Sequence, residues 1–532
     1  MSDAATPPLS RRRLFEIVGS SVGAAAAYQA MTRLGHAEES PYRGPIRLDG
    51  DPKGASVLIL GAGLAGMTAA IELQDAGYKV SVLEFNRRAG GRNWTIRGGD
   101  VVTELGGATQ ACAFDAGLYL NPGPWRIPYH HHAILDYCRR FGVALEPFIQ
   151  LNHNAYLHSS SAFGGKPQRI RDVKADFVGG VAELLAKATK KGALDEAVSK
   201  EDQEILLEAL RSLGALDRDF RYQAGAASAA HRGYAKDPGG GLGAEPLDGE
   251  PIGLDDILQS RLWRALRNFL SYDFQTTMFQ PVGGMGRIGE AFARQIPDRI
   301  RYGAKVVAIK QNDSGVAVAF EDLVAGGTVR EVRADWCVCA LPLSILSQIP
   351  INVSAPMKAA IDAVPYVSAV KFGLQFSRRF WEEDERIYGG ISYTDLPIRQ
   401  IAYPSADFNR GGKGVLLGGY TFDGPNSYEF TAMAPAERVK RAVEFGARIH
   451  PQYRAEFETG ISVAWSRVPF TLGCAGDWSD EARKAHYNDL CEIDGRIVLA
   501  GEHASYIPAW QEGAILSALD AIQRLHKRVV AS

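Results

Sequence analysis

The sequence predicts an α/β chain, α+β when all of it is counted, on three observations. A strand, a glycine turn, a helix and a second strand follow one another near residue 60. A second glycine-to-helix unit lies near residue 510. The length of 532 residues exceeds what one hydrophobic core organises, so several domains share the chain. Lys and Arg total 59 against 61 acids, which gives no electrostatic reason to expect nucleic acid or an anionic membrane as partner. The six cysteines are too scattered for a disulfide framework. Two of them, Cys337 and Cys339 in "ADWCVCALPL", fall on one face of a strand, as buried packing rather than a metal site.

Residues 1–37 read as an address. Arg11 to Arg13 precede an uncharged run from Ile17 to Met31 and a small-residue exit at Gly35-His36-Ala37. The run is shorter than the roughly 20 residues a membrane span needs. It is therefore read as a twin-arginine type signal peptide rather than a stable span, exporting an already folded protein to the periplasm or beyond.

The first unit is "ASVLILGAGLAGMTAAIELQDAGYKVSVLEF". An apolar strand, Val57 to Leu60, runs into Gly61-Ala62-Gly63-Leu64-Ala65-Gly66 and a helical pattern, and a second strand ends on Glu84. Gly61 permits the tight turn, Gly63 lets a pyrophosphate approach the backbone, and Gly66 lets helix and strand pack closely. The helix N-terminus, at Ala65, turns free N–H groups and a positive dipole end toward phosphate. Glu84 is placed to accept ribose hydroxyls. Together these residues predict a Rossmann-type dinucleotide site.

"RRAGGRNWT" then adds Gly90-Gly91-Arg92, a second glycine pair whose cation can sit against the pyrophosphate, an extension that marks FAD rather than NAD sites. Near the end, "DGRIVLAGEHASYIPAWQEGAILSAL" supplies Gly501, Glu502, an aromatic at Trp510, and a helix start containing Ala514 and Ile515. The two ends of the chain are thus expected to build one flavin site. Between them, "NPGPWRIPY" holds Arg126 in a rigid, apolar stretch, where the cation is either a loop residue making one salt bridge or a group facing a ligand.

Over nearly everything after residue 50 the chain resembles flavin-dependent amine oxidases, and among them the L-amino acid oxidases. "FQPVGGMGRI", "AKVVAIK" around Val306, "VCALPLSIL" and "AVKFGLQFSRRFWEED" occur here in that family's order. The resemblance implies FAD, held without a covalent link, an L-amino acid as small-molecule substrate, and O2 as oxidant. It implies hydride transfer from Cα to flavin N5, then release of 2-oxo acid, ammonia and hydrogen peroxide. Lys371 falls where the family carries a lysine that holds a water beside N5. Gly123-Pro124-Trp125-Arg126 matches the segment over the flavin whose arginine binds the substrate carboxylate. Tyr420 matches the tyrosine assisting that clamp, Trp510 an aromatic wall beside the flavin, and Ala509 the carbonyl that takes the substrate ammonium. A homodimer is the family's usual assembly. An amino acid 2-monooxygenase, a mono- or polyamine oxidase and a non-catalytic flavoprotein redox sensor are the competing activities.

Two departures are visible. "WRALRNFLSYDFQTTMF" lacks the histidine that some relatives carry in their helical domain, so no general base is assigned. "FTLGCAGDW" places Cys474 nine residues after Trp465, the spacing of covalent flavin attachment, but without the tyrosine that follows there. His130-His131-His132 adjoins a helical pattern and is read as solvated or capping, with no metal. The expected domains are a flavin domain at 51–100, 279–364 and 485–532, a mixed-sheet substrate domain at 101–150 and 365–484, and a helical domain at 151–278.

Overall fold

A computed structural model describes residues 40–193 and 198–531, so the expected export signal lies outside the described residues. The strand Ser56–Leu60 pairs in parallel with Lys79–Glu84 on one side and Trp336–Cys339 on the other. Ile300–Tyr302 and Ile497–Leu499 complete a five-stranded parallel sheet whose members come from both ends and the middle of the chain. Strand periodicity of two divides its side chains between two cores. Val57, Ile59, Val338 and Val498 pack with the helices Leu64–Asp75 and Gln511–Ala531. Leu58, Leu60, Cys337, Cys339 and Leu499 pack on the other face against Val306, Val318 and Phe320 of a three-stranded antiparallel sheet. Both thiols are therefore buried on one face, as their spacing predicts. Each fully buried branched side chain here contributes about 1.5–3 kcal/mol.

A seven-stranded mixed sheet is built around the strand Ala369–Phe376, with Gly414–Phe422 and Phe457–Ala464 antiparallel on its two sides. Val370, Phe372, Leu374 and Phe376 all enter one core, which leaves Lys371 and Gly373 on the opposite face. Lys371 is consequently on a central strand, where no solvent is available to a side chain that cannot reach a cavity.

Residues 151–278 are mainly helical, with Ile170–Lys190 and Lys200–Leu213 the longest helices. The second starts on Ser199, whose hydroxyl accepts the Asp202 N–H at 3.0 Å. Part of this expected helical segment belongs elsewhere. Tyr156–His158 and Gln168–Arg169 form the edge of the seven-stranded sheet, because Leu157 is fully buried in that sheet's core. The glycine-rich stretch beyond is a surface hairpin of Tyr234–Lys236 with Leu247–Asp248. No described helix is long and apolar enough to cross a membrane.

Candidate active site

A cavity of about 490 Å³ runs from the glycine turn after the first strand to the face of the seven-stranded sheet that carries Lys371. At its first end, Gly61 has φ +101° and its N–H donates to the Leu83 carbonyl at 2.8 Å, closing the turn. A Cβ on Gly66 would lie 1.9 Å from the Gly61 carbonyl oxygen, so only glycine lets the helix start this close to the strand. At Gly63 the result is opposite: an added Cβ meets nothing within 4 Å. That open space adjoins the N-terminus of Leu64–Asp75, which has no side-chain cap. Leu64 and Ala65 line the cavity, and their unsatisfied N–H groups are suited to a phosphate. Gly91, at φ +56°, packs against Gly63 and completes the cradle. The residues present fit a dinucleotide phosphate.

Glu84 lines the same end, buried, with one carboxylate oxygen accepting the Ala62 N–H and the other the Asn86 N–H, each at 2.7 Å. Burial raises its pKa and these N–H donors oppose the rise. The backbone thus fixes its direction before any ribose arrives. Phe85 and Phe470 stack beside it with ring centroids 4.8 Å apart.

Arg92, expected against the pyrophosphate, also has protein partners. It lines the cavity, but its guanidinium donates to Glu502 Oε1 at 2.8 Å and to the Cys474 carbonyl at 2.7 Å. The other Glu502 oxygen accepts the Ala509 N–H at 3.0 Å. Burial works to raise the Glu502 pKa, but Arg92 and its other neighbours hold it below the ordinary value. This ion pair ties the N-terminal arm of the site to the C-terminal arm. It also holds Ala509 in the left-handed region, at φ +66°, where a residue with a side chain is strained.

At the second end, the strand Ile127–Pro128 pairs with Met278–Pro281 and places Arg126 just before it, on the cavity wall. Its guanidinium carbon lies 4.9 Å from the Trp125 ring and 4.5 Å from the Phe274 ring. Stacking of this kind suits a weakly hydrated cation. Arg126 makes no ion pair with any described residue, and its Nε is buried without a hydrogen-bond partner. Burial lowers its pKa against the influence of Tyr393, Tyr420 and Asp273. A cation in this state costs free energy until an anion joins it.

Lys371 projects from the central strand into the same end, with Nζ donating to the Gly123 and Asn121 carbonyls. Nζ sits 4.8 Å from the Trp125 ring and 4.6 Å from the Tyr420 ring. Burial, helped by the Arg126 charge, brings its pKa down to about 7. Tyr420 faces Lys371 across the sheet register and meets Trp125 edge-on at 6.0 Å, with its hydroxyl against the Cys474 thiol. Burial raises the pKa of that thiol.

Gly123, Pro124, Trp125, Gly501, Trp510 and Ala514 also line the cavity. Three expected cofactor residues do not: Gly66 is behind the turn, and Val306 and Ile515 point into the two cores that flank the parallel sheet. Inward-facing strand and helix positions turn these last two side chains away from the cavity.

Several lining residues escape the sequence motifs, four of them at the substrate end. Phe274 and Asn268 come from short 3₁₀ turns in the segment that lacks the histidine, and nothing local marks them. Tyr393 and Gln400 come from neighbouring strands of the seven-stranded sheet. His503, directly after Glu502, was within reach of the motif; burial lowers its pKa to about 4 and its Nδ1 lies 3.1 Å from the Tyr366 hydroxyl. The reading of His130 and His131 as solvated or capping is corrected. They are 8% and 2% exposed, and His131, at the start of the helix His132–Arg140, makes no side-chain cap. Its ring meets Trp510 edge-on at 4.9 Å. Burial holds that imidazole neutral, with a pKa near 3.

The family described as flavin containing amine oxidoreductase matches residues 64–526. The L-amino-acid oxidase of Siganus canaliculatus is 28% identical over 485 residues, covering 89% of this chain and 86% of that protein. The L-amino-acid oxidase of Gloydius blomhoffii is 27% identical over 492 residues, covering 91% of each. Among solved structures, wild-type putrescine oxidase bound to putrescine superposes with a TM-score of 0.56 at 18% identity, covering 90% of this chain and 99% of that one. Cyclohexylamine oxidase from Brevibacterium oxydans does so with a TM-score of 0.56 at 17% identity over the same shares. At these identities the solved structures speak for the fold alone.

Proposed function

The chain belongs to the flavin-containing amine oxidoreductases and uses FAD, and from that premise we propose that it oxidatively deaminates an L-amino acid. The observation that carries the proposal is Arg126, a guanidinium with a buried Nε and no ion-pair partner among the described residues, on the wall of the cavity that Lys371 also lines. A substrate lacking a carboxylate leaves that charge uncompensated, whereas an amino acid closes it with two parallel hydrogen bonds. The relatives named as L-amino-acid oxidases support the same choice.

Gly63, Ala65 and Gly91 would hold the pyrophosphate, Glu84 the ribose, and Trp510, Ala514 and Gly501 the walls around the ring system. When bound, FAD accepts the equivalent of a hydride from the substrate Cα and passes the two electrons to O2, giving hydrogen peroxide. Arg126 fixes the acid end of the substrate, and one anchor at that end orients the Cα–H of a small molecule. Trp125, Phe274 and Trp510 exclude water from that pair. The Ala509 carbonyl, in a backbone fixed through its N–H on Glu502, is offered to the substrate ammonium. Lys371 Nζ loses its charge near pH 7 and can then hold a proton-sharing water. The product imine hydrolyses to 2-oxo acid and ammonia.

Screening the twenty L-amino acids and simple amines for peroxide, with product analysis, tests the proposal. A 2-oxo acid with ammonia is expected. An amide with carbon dioxide would mark a monooxygenase and an aldehyde an amine oxidase, and either ends this assignment. Export through residues 1–37 and a homodimer are further proposals, resting on the leader's arginines and the family's habit. N-terminal sequencing of secreted protein and its mass in solution check them.

A further inference from the structure

We propose that His130, His131 and Asp273 form a site for a divalent cation of the zinc type, at the edge of the cavity but separate from it. One ligand atom from each lies within 4.8 Å of the other two, against about 3.3 Å between ligands around a tetrahedral zinc. Binding would require side-chain rotations that close that gap. Two imidazoles and one carboxylate form a borderline N/O donor set, which favours zinc over calcium or magnesium and leaves a fourth position for water.

Three further features match a built site. The Nε2 of His131 is buried in a residue 2% exposed and has no hydrogen-bond partner among the described residues. The side-chain amide of Gln275 lies 2.5 Å from His130 Nδ1. The atom placed there is the amide nitrogen; turned end for end, the amide would put its oxygen on Nδ1–H and free Nε2 for a metal beside Asp273, 3.5 Å away. Asp273 keeps 46% of its side chain exposed, which gives the ion an entry path and a wet fourth position.

The site lies where an ion has consequences. Asp273 precedes Phe274, whose ring stacks on Arg126, and His131 meets Trp510. A bound cation would pin the 3₁₀ turn Tyr272–Phe274 to the start of the helix His132–Arg140, fixing two aromatic walls of the cavity. None of this depends on which substrate the cavity takes.

Zinc uptake by the flavin-replete, chelator-treated full chain, followed by equilibrium dialysis and metal analysis, tests the proposal. One zinc per chain is expected, with affinity weakened at least tenfold by His131→Ala and by Asp273→Asn, and less by Gln275→Leu. The flavin absorbance of each variant reports that it is folded, and Asp273→Asn on a half-exposed side chain leaves the packing in place. X-ray absorption of the loaded protein should show two imidazoles on the metal. No zinc bound by the folded wild type, or zinc bound equally well by the folded variants, overturns the site.

Discussion

Replacing Arg126 with methionine separates binding of the substrate carboxylate from the rest of the machinery. Methionine keeps an apolar stem between Trp125 and Phe274, whose rings flank the guanidinium at 4.9 and 4.5 Å. What it removes is two charge-assisted hydrogen bonds, each contributing about 1.5–3 kcal/mol. Together they amount to about 3–6 kcal/mol, or roughly 10²–10⁴ in kcat/KM. Stability moves the other way. Arg126 has no described ion-pair partner, and its Nε is buried without a hydrogen bond, so deleting it removes an uncompensated charge. The variant should melt at or above the wild-type temperature, retain flavin, and lose turnover of amino acids. Peroxide release under saturating O2 measures the loss, and an amine without a carboxylate should show no comparable drop. A fall in kcat/KM of less than tenfold, with flavin still bound, refutes the clamp.

Gly63→Val should abolish flavin retention while leaving the far-ultraviolet circular dichroism intact, because its side chain enters only the cofactor's space. Gly66→Ala should instead destabilise the fold by about 1–3 kcal/mol, since its Cβ meets the Gly61 carbonyl; equal behaviour of the two variants contradicts the division of labour. The Lys371 pKa of about 7 lies below the ordinary 10.5, so charging it costs the folded state. That cost is present in full below about pH 7 and disappears as pH rises through the window to 10.5, where the unfolded chain keeps the proton longer. Lys371→Met should therefore raise the thermal midpoint more at pH 6 than at pH 10, and a pH-independent gain would show that the lysine is not desolvated. Acid precipitation should release all the flavin into the supernatant, since a buried thiol with a raised pKa is a poor nucleophile; a yellow pellet that becomes colourless in Cys474→Ala would establish a covalent link.

The dinucleotide half of the site was legible in the sequence because its physics is local. Gly61, Gly63 and Gly66 are required by one turn and one helix start, and Glu84 follows from the length of the second strand. The periodicity of two likewise put Cys337 and Cys339 on one face. Arg126 stood out because rigid prolines and an aromatic surround it, and Lys371 because of its motif.

Other features needed the folded chain. Arg92 meets Glu502 across 410 residues, and no local pattern encodes that pairing. Phe274 and Asn268 reach the cavity from irregular turns that carry no periodic signal. Val306 and Ile515 turn away from it because strand register and helix packing, not the motif, decide which face looks inward. His130 and His131, read from the sequence as solvated or capping, are buried against Tyr272 and Trp510 from distant parts of the chain. Sequence by itself determined where the backbone must bend and which cofactor it can cradle, since sterics and hydrogen bonding act over a few residues. Tertiary structure alone decided which charges are paired, which are left bare and which imidazoles lose water, because those outcomes depend on surfaces brought together from distant parts of the chain.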